Sequence, residues 1–98
     1  AERAAGADGA AALGATAVYD REIAIMRGLL DQRRAALDTS TVRVLETNLD
    51  IIDRAIRDSR EALARDPASP LLNRQLTDAL DEKLELMRTA VLVSSGAD

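Results

Sequence analysis

The sequence predicts an all-α domain, an antiparallel up-down-up bundle of three long helices. Apolar residues recur at spacings of three, four and seven from Val18 onward, which is the rhythm of amphipathic helices. Only two short breaks interrupt it, one at Leu37-Asp38 and one in the run Asp66-Pro67-Ala68-Ser69-Pro70. Turns that brief make consecutive helices antiparallel neighbours.

The leading segment AERAAGADGAAALGAT carries Gly6, Gly9 and Gly14 and no sustained apolar stripe. Residues 1–16 therefore read as a flexible Ala/Gly-rich tether, and residues 17–95 as the three-helix domain. The first helix is expected at about 17–37, with Tyr19, Ile23, Met26, Leu30 and Leu37 on its inward stripe. A second row, Val18, Ile25, Leu29 and Ala36, is wider than one neighbour needs and leaves surface for the third helix or another chain. Asp38 is placed to cap the second helix, because its carboxylate accepts from free N–H groups of the following turn.

That second helix is expected at about 39–66, with the stripe Val42, Leu45, Leu49, Ile52, Ile56, Ser59 and Leu63. A second row of Val44, Ile51, Ala55 and Ala62 widens the apolar arc to roughly 180°, as a central helix with two partners requires. Pro67 ends the helix and restricts Asp66 before it. Ser69 and Pro70 then serve as N-cap and first residue of the third helix, expected at about 70–93. Its stripe is Leu72, Leu76, Leu80, Leu84, Met87, Ala90 and Val91, fraying into Ser94-Ser95-Gly96.

Composition excludes several classes of chemistry. The 98 residues are 47% hydrophobic and 31% charged, with Tyr19 the single aromatic residue and neither Cys nor His. This removes disulfides, Cys or His metal sites, and Cys–His or Ser–His–Asp catalysis. A net charge of −4 offers no electrostatic footing for nucleic acid. Arg outnumbers Lys twelve to one, which reads as a codon-composition effect. No apolar stretch approaches the roughly 18 residues of a membrane span. Residues 1–17 lack the three-part order of a signal peptide. No Gly-rich phosphate loop is present, and Asp78, Asp81, Glu82 and Glu85 lack the Gly-turned loop of a calcium site. No cofactor and no metal are expected. The chain opens at Ala1 without an initiator Met and reads as a fragment or a processed product. Apolar burial and ordering entropy nearly cancel for so small a bundle. A homodimer is therefore expected, through the outer row of the first helix or the apolar end of the third.

Polar residues inside the apolar arcs are the candidate site. These are Glu22 and Arg33 in the first helix, Asn48 and Ser59 in the second, and Lys83, the only lysine, in the third; Asp53 borders the arc of the second. Folding the hairpins about Asp38 and Ala68 brings Glu22, Asp53 and Lys83 into one layer. A lysine between two carboxylates suits a sensing or acid–base site, but a register-fixing ion network with a snorkelling Lys83 is the stronger expectation. Asn48 and Ser59 are expected to be buried, Asn48 setting register and Ser59 bonded to the preceding turn's carbonyl. Four pairs spaced by four residues on the second helix, Asp50–Arg54, Asp53–Arg57, Arg57–Glu61 and Glu61–Arg65, are expected as surface ion pairs.

The order YDREIAIMRGLLDQRRAALD, NLDIIDRAIRDSREAL, DPASPLLNRQL and DEKLELMRTA, over about residues 18–92, resembles the C-terminal extracytoplasmic region of bacterial zinc-finger-type transmembrane anti-sigma factors. The likeness lies in helix lengths, the DP-x-x-P turn and the placement of Asn48, Asp53 and Lys83. It implies a non-enzymatic sensor or oligomerisation domain on the extracytoplasmic (periplasmic) face of the inner membrane. A packing change would then pass through the tether to a sigma factor held by a segment absent here. The family's His–Cys clamp and its membrane helix are not in these residues. The alternative is a structural or adaptor bundle that binds a partner helix through an exposed apolar row. Catalysis through the Glu22, Asp53 and Lys83 layer would need a pocket that three packed helices rarely provide.

Overall fold

The computed structural model describes the backbone of residues 2–96 and the side chains of residues 16–94. The elements are α1 (Glu2–Arg33), a 3₁₀ turn (Arg34–Ala36), α2 (Thr39–Arg65) and α3 (Pro70–Gly96). There is no strand among the described residues, and the chain is an all-α three-helix bundle.

The two ends of α1 both differ from expectation. Residues 2–16 were expected as a flexible tether, yet the backbone continues α1 through them. Ala, the best helix former, dominates this stretch. Once a helix is nucleated, each added residue gains a hydrogen bond, which offsets the cost of about 1 kcal/mol for each Gly. At the other end α1 stops at Arg33, not at residue 37. Residues 34–36 tighten into the 3₁₀ turn, closed by the Leu37 N–H donating to the Arg34 carbonyl at 3.1 Å. The chain has to leave the helix there, because Asp38 adopts φ −72°, ψ 160°, the extended conformation of an N-cap.

The capping chemistry follows expectation. Asp38 Oδ1 accepts from the Thr41 N–H at 2.7 Å and from the Ser40 hydroxyl at 2.8 Å. Ser69 Oγ accepts from the Leu72 N–H at 3.2 Å, with Pro70 opening α3. Asn73 then ties the turn down, its amide donating to the carbonyls of Ser69 (2.8 Å) and Pro67 (3.3 Å). α2 ends at Arg65, with Asp66 as its C-cap. α3 runs three residues beyond its expected end: Ser94 is buried and donates to the Val91 carbonyl at 2.7 Å, which holds the last turn.

The central helix is α3, not α2. Its backbone runs close to both α1 and α2, which meet each other mainly through side chains. One core cluster holds Ile52, Ile56, Leu76, Ala79 and Leu80, with Tyr19 and Ile23 of α1 packed against it. The other joins Leu30, Leu49, Met87 and Ala90. Met87 is fully buried, with 0% of its surface exposed. The wide arc of α2 was read as serving two partners, but Val44 (61% exposed) and Ile51 (64% exposed) in its second row face solvent. The second row of α1 is open as well, at Val18 and Ile25. The molecule is elongated, 55 × 20 × 14 Å.

Candidate functional site: a polar seam and an outer groove

Lys83 and Asp53 meet as the hairpin geometry of α2 and α3 requires. Lys83 Nζ donates to Asp53 Oδ1 at 2.6 Å, with the two side chains 14% and 31% exposed. The Lys83 side chain is mostly buried, and its charge is met inside the molecule by Asp53 instead of snorkelling outward. Glu22, expected in the same layer, is held elsewhere. Its Oε2 accepts from Arg88 Nη2 at 2.9 Å, and Arg88 Nη1 donates to Glu85 at 3.0 Å. The reflection about Asp38 took α1 to run to residue 37, and it ignored that α1 packs against α3. The predicted three-charge layer is thus two separate networks, one joining α2 to α3 and one joining α1 to α3.

Two further ion pairs link α1 and its following turn to α2: Arg60 with Asp20 at 3.2 Å, and Arg34 with Glu46. These bridge the pair of helices whose backbones stay apart. By contrast, the four expected pairs within α2 do not close among the described residues, where Asp53 is taken by Lys83. The Tyr19 hydroxyl is held above its usual pKa, first by partial desolvation and then by the nearby carboxylates of Asp81, Asp78 and Glu22. Arg88, Arg60 and Asp20 do not stand out in the sequence because each lies on the exposed side of its own helix, outside the apolar arcs where charged exceptions are visible. Their one visible signal is the i, i+3 spacing of Glu85 and Arg88.

Ser59 is buried, as expected, but its hydroxyl does not bond to the preceding turn's carbonyl as Thr47 and Thr77 do, and Asn48 is exposed. Asn48 lies on the side of α2 that α1 does not cover, where α2 and α3 flank a shallow groove. One part of that groove, about 340 Å³, is lined by Val44, Asn48, Leu86, Thr89 and Val93 among others. The adjoining part, about 380 Å³, takes in Asn48, Ile51, Glu82, Leu86 and Thr89. The cleft between α1 and α2 is far smaller, about 40 Å³, and the Arg34–Glu46 ion pair lies on its wall. No set of three acidic residues placed for a metal ion occurs among the described residues, and none of their helices is long and apolar enough to cross a membrane.

No family model, curated protein or solved structure matches this chain. The chemistry available to it is read from its own surfaces. Four ion pairs join its elements across helix boundaries, and an open, mostly apolar groove lies between two of its helices.

Proposed function

We propose that the chain is a non-enzymatic regulatory domain of the kind its sequence resembles, the extracytoplasmic helical part of a membrane-bound anti-sigma factor. It acts by passing a change in bundle packing along α1. One observation carries this reading: α1 is a single helix from Glu2 to Arg33. Its C-terminal half brings Tyr19, Ile23, Met26 and Leu30 into the core, and the same helix continues through the segment that leads away. A continuous helix conveys a displacement of its packed end, whereas a Gly-rich coil dissipates it. Native-state amide exchange tests the reading. Amides of residues 6–15 should be protected in the intact chain and lose protection when Leu30→Ala loosens the core. Amides in that segment that exchange freely in both proteins would refute it.

The groove supports a second reading, an adaptor that seats a partner helix between α2 and α3. Its rows of exposed Val44, Ile51 and Val93 have the spacing that receives an amphipathic helix. A labelled amphipathic peptide should bind saturably in fluorescence anisotropy, and Ile51→Asp should abolish the binding. No saturable binding by any helical peptide would remove this reading.

A further inference from the structure

We propose that a second copy of this chain fills the α2–α3 groove, as a two-fold antiparallel dimer centred on Asn48 and Thr89. The inference uses the groove of the adaptor reading but commits it to one occupant, and it is independent of the transmission along α1.

The walls of the groove carry a regular pattern. On α2 the residues Thr41, Val44, Asn48, Ile51 and Ala55 recur at spacings of three and four, the seam of a coiled coil. On α3 the residues Glu82, Leu86, Thr89 and Val93 follow the same rhythm. Asn48, Leu86 and Thr89 line both halves of the groove, and the Asp53–Lys83 contact sets Asn48 level with about residue 88, so Asn48 and Thr89 mark one level of it. Around that level the two walls are palindromic. Val44 and Ile51 stand one turn to either side of Asn48, and Leu86 and Val93 one turn to either side of Thr89.

A two-fold axis crossing both helices at this level lays each helix antiparallel on its own mate. Val44 then faces Ile51 of the second copy, and Leu86 faces Val93. Asn48 meets Asn48. An amide carries both donors and an acceptor, so two amides related by a two-fold axis satisfy each other. An unrelated helix would have to supply that complement by coincidence. A polar Asn in an otherwise apolar seam fixes register and partner state at some cost in stability, which also explains why the residue sits there.

Charge and area agree. Each copy carries net −4, so self-association requires a contact face without facing carboxylates; the half of the groove towards Val44 and Val93 is uncharged, and the two-fold axis lays it on the half that holds Glu82 and Glu85. Glu82 and Glu85 fall opposite the end of α3 in the second copy, not opposite carboxylates. The chain exposes 6829 Å². Folded monomers of its 10.5 kDa mass expose about 5,400 Å². The surplus of about 1,400 Å² follows from the elongated 55 × 20 × 14 Å shape, and a standard interface takes roughly 800 Å² from each partner.

The chain has no cysteine, so single-cysteine variants report the geometry directly. Asn48→Cys and Thr89→Cys should each form a disulfide-linked dimer on mild oxidation at micromolar concentration. That bond forms only where two Cα atoms come within about 7 Å. Arg57→Cys, exposed on α2 but outside the groove, should not. In light scattering the wild-type chain should have twice the mass of the single chain, and Ile51→Asp should halve that mass while the circular dichroism remains helical. A wild-type monomer at every concentration up to millimolar would overturn the proposal, as would crosslinking of Arg57→Cys as readily as Asn48→Cys. A monomer that binds an amphipathic peptide in the groove would overturn it too, leaving the adaptor reading in place. None of these results touches the amide-exchange test of α1.

Discussion

Removing either partner of the Lys83–Asp53 pair should not cost the same. Lys83 keeps 14% of its side chain exposed and Asp53 31%, so Asp53→Ala strands the more deeply buried charge. Lys83→Met leaves a carboxylate that water still reaches, and keeps a stem of similar length and apolar character in the core. Exposed ion pairs contribute about 0–1 kcal/mol, whereas breaking a buried one costs about 3–5 kcal/mol. With one partner mostly buried and the other partly solvated, Asp53→Ala should cost about 2 kcal/mol, and Lys83→Met less than about 1 kcal/mol in either direction. In a domain of this size about 1 kcal/mol moves Tm by roughly 4–8 °C, so the two variants separate clearly in a thermal melt. Urea unfolding followed by circular dichroism gives the same comparison as free energies. The double variant should recover much of the Asp53→Ala loss, since no stranded ammonium remains. The reasoning fails if Lys83→Met is as damaging as Asp53→Ala, or if the double variant is worse than either single one.

Three other perturbations have definite signs. Met87→Ala, at the fully buried position of α3, should cost about 2–5 kcal/mol by urea unfolding without a change in slope. Gly28→Ala should stabilise α1 by about 0.5–1 kcal/mol, because a Cβ there meets nothing within 4 Å and the position is helical; a lower Tm would contradict this. The Asp38 carboxyl is held below its ordinary pKa, first by the Thr41 backbone N–H and then by the Ser40 hydroxyl. A lowered folded-state pKa means stability that is present above the unfolded value of about 3.9 and lost as pH falls through the lowered one. The Tm gap between wild type and Asp38→Ala should therefore close on acidification. A gap constant from neutral to strongly acidic pH would remove the cap from the explanation.

Much of this fold was legible because helix boundaries are local chemistry. Asp38, Ser69, Pro67 and Pro70 act on their own turns, and a reader of the sequence sees all the atoms involved. The inward stripe of α3 was equally clear, since a buried helix face repeats on itself. What the sequence did not disclose was which neighbour covers which part of an arc. The 180° arc of α2 is real, but half of it faces the open groove, so Asn48 is exposed where burial was expected. Lys83 with Asp53 was found because the α2–α3 turn is short and its ends are fixed by caps. Glu22 was misplaced because the 3₁₀ turn at 34–36 shifts the α1 register, and because its partner Arg88 lies on the helix not adjacent in sequence. The helicity of residues 2–16 was missed for a simpler reason. The alanines there, and the helix already nucleated behind them, outweigh three glycines.

The central place of α3 also bears on how the molecule comes into being. During synthesis α1 and α2 emerge first, yet their backbones hardly approach each other, and each finds its main packing surface on the last helix. The nascent chain therefore holds two amphipathic helices with exposed apolar faces until α3 has cleared the ribosome, and only then do both interfaces close. A chain released early, within α3, loses both at once, whereas trimming the first turns of α1 leaves the core residues from Tyr19 onward intact. For this bundle, the completeness of α3 decides whether there is a folded core at all.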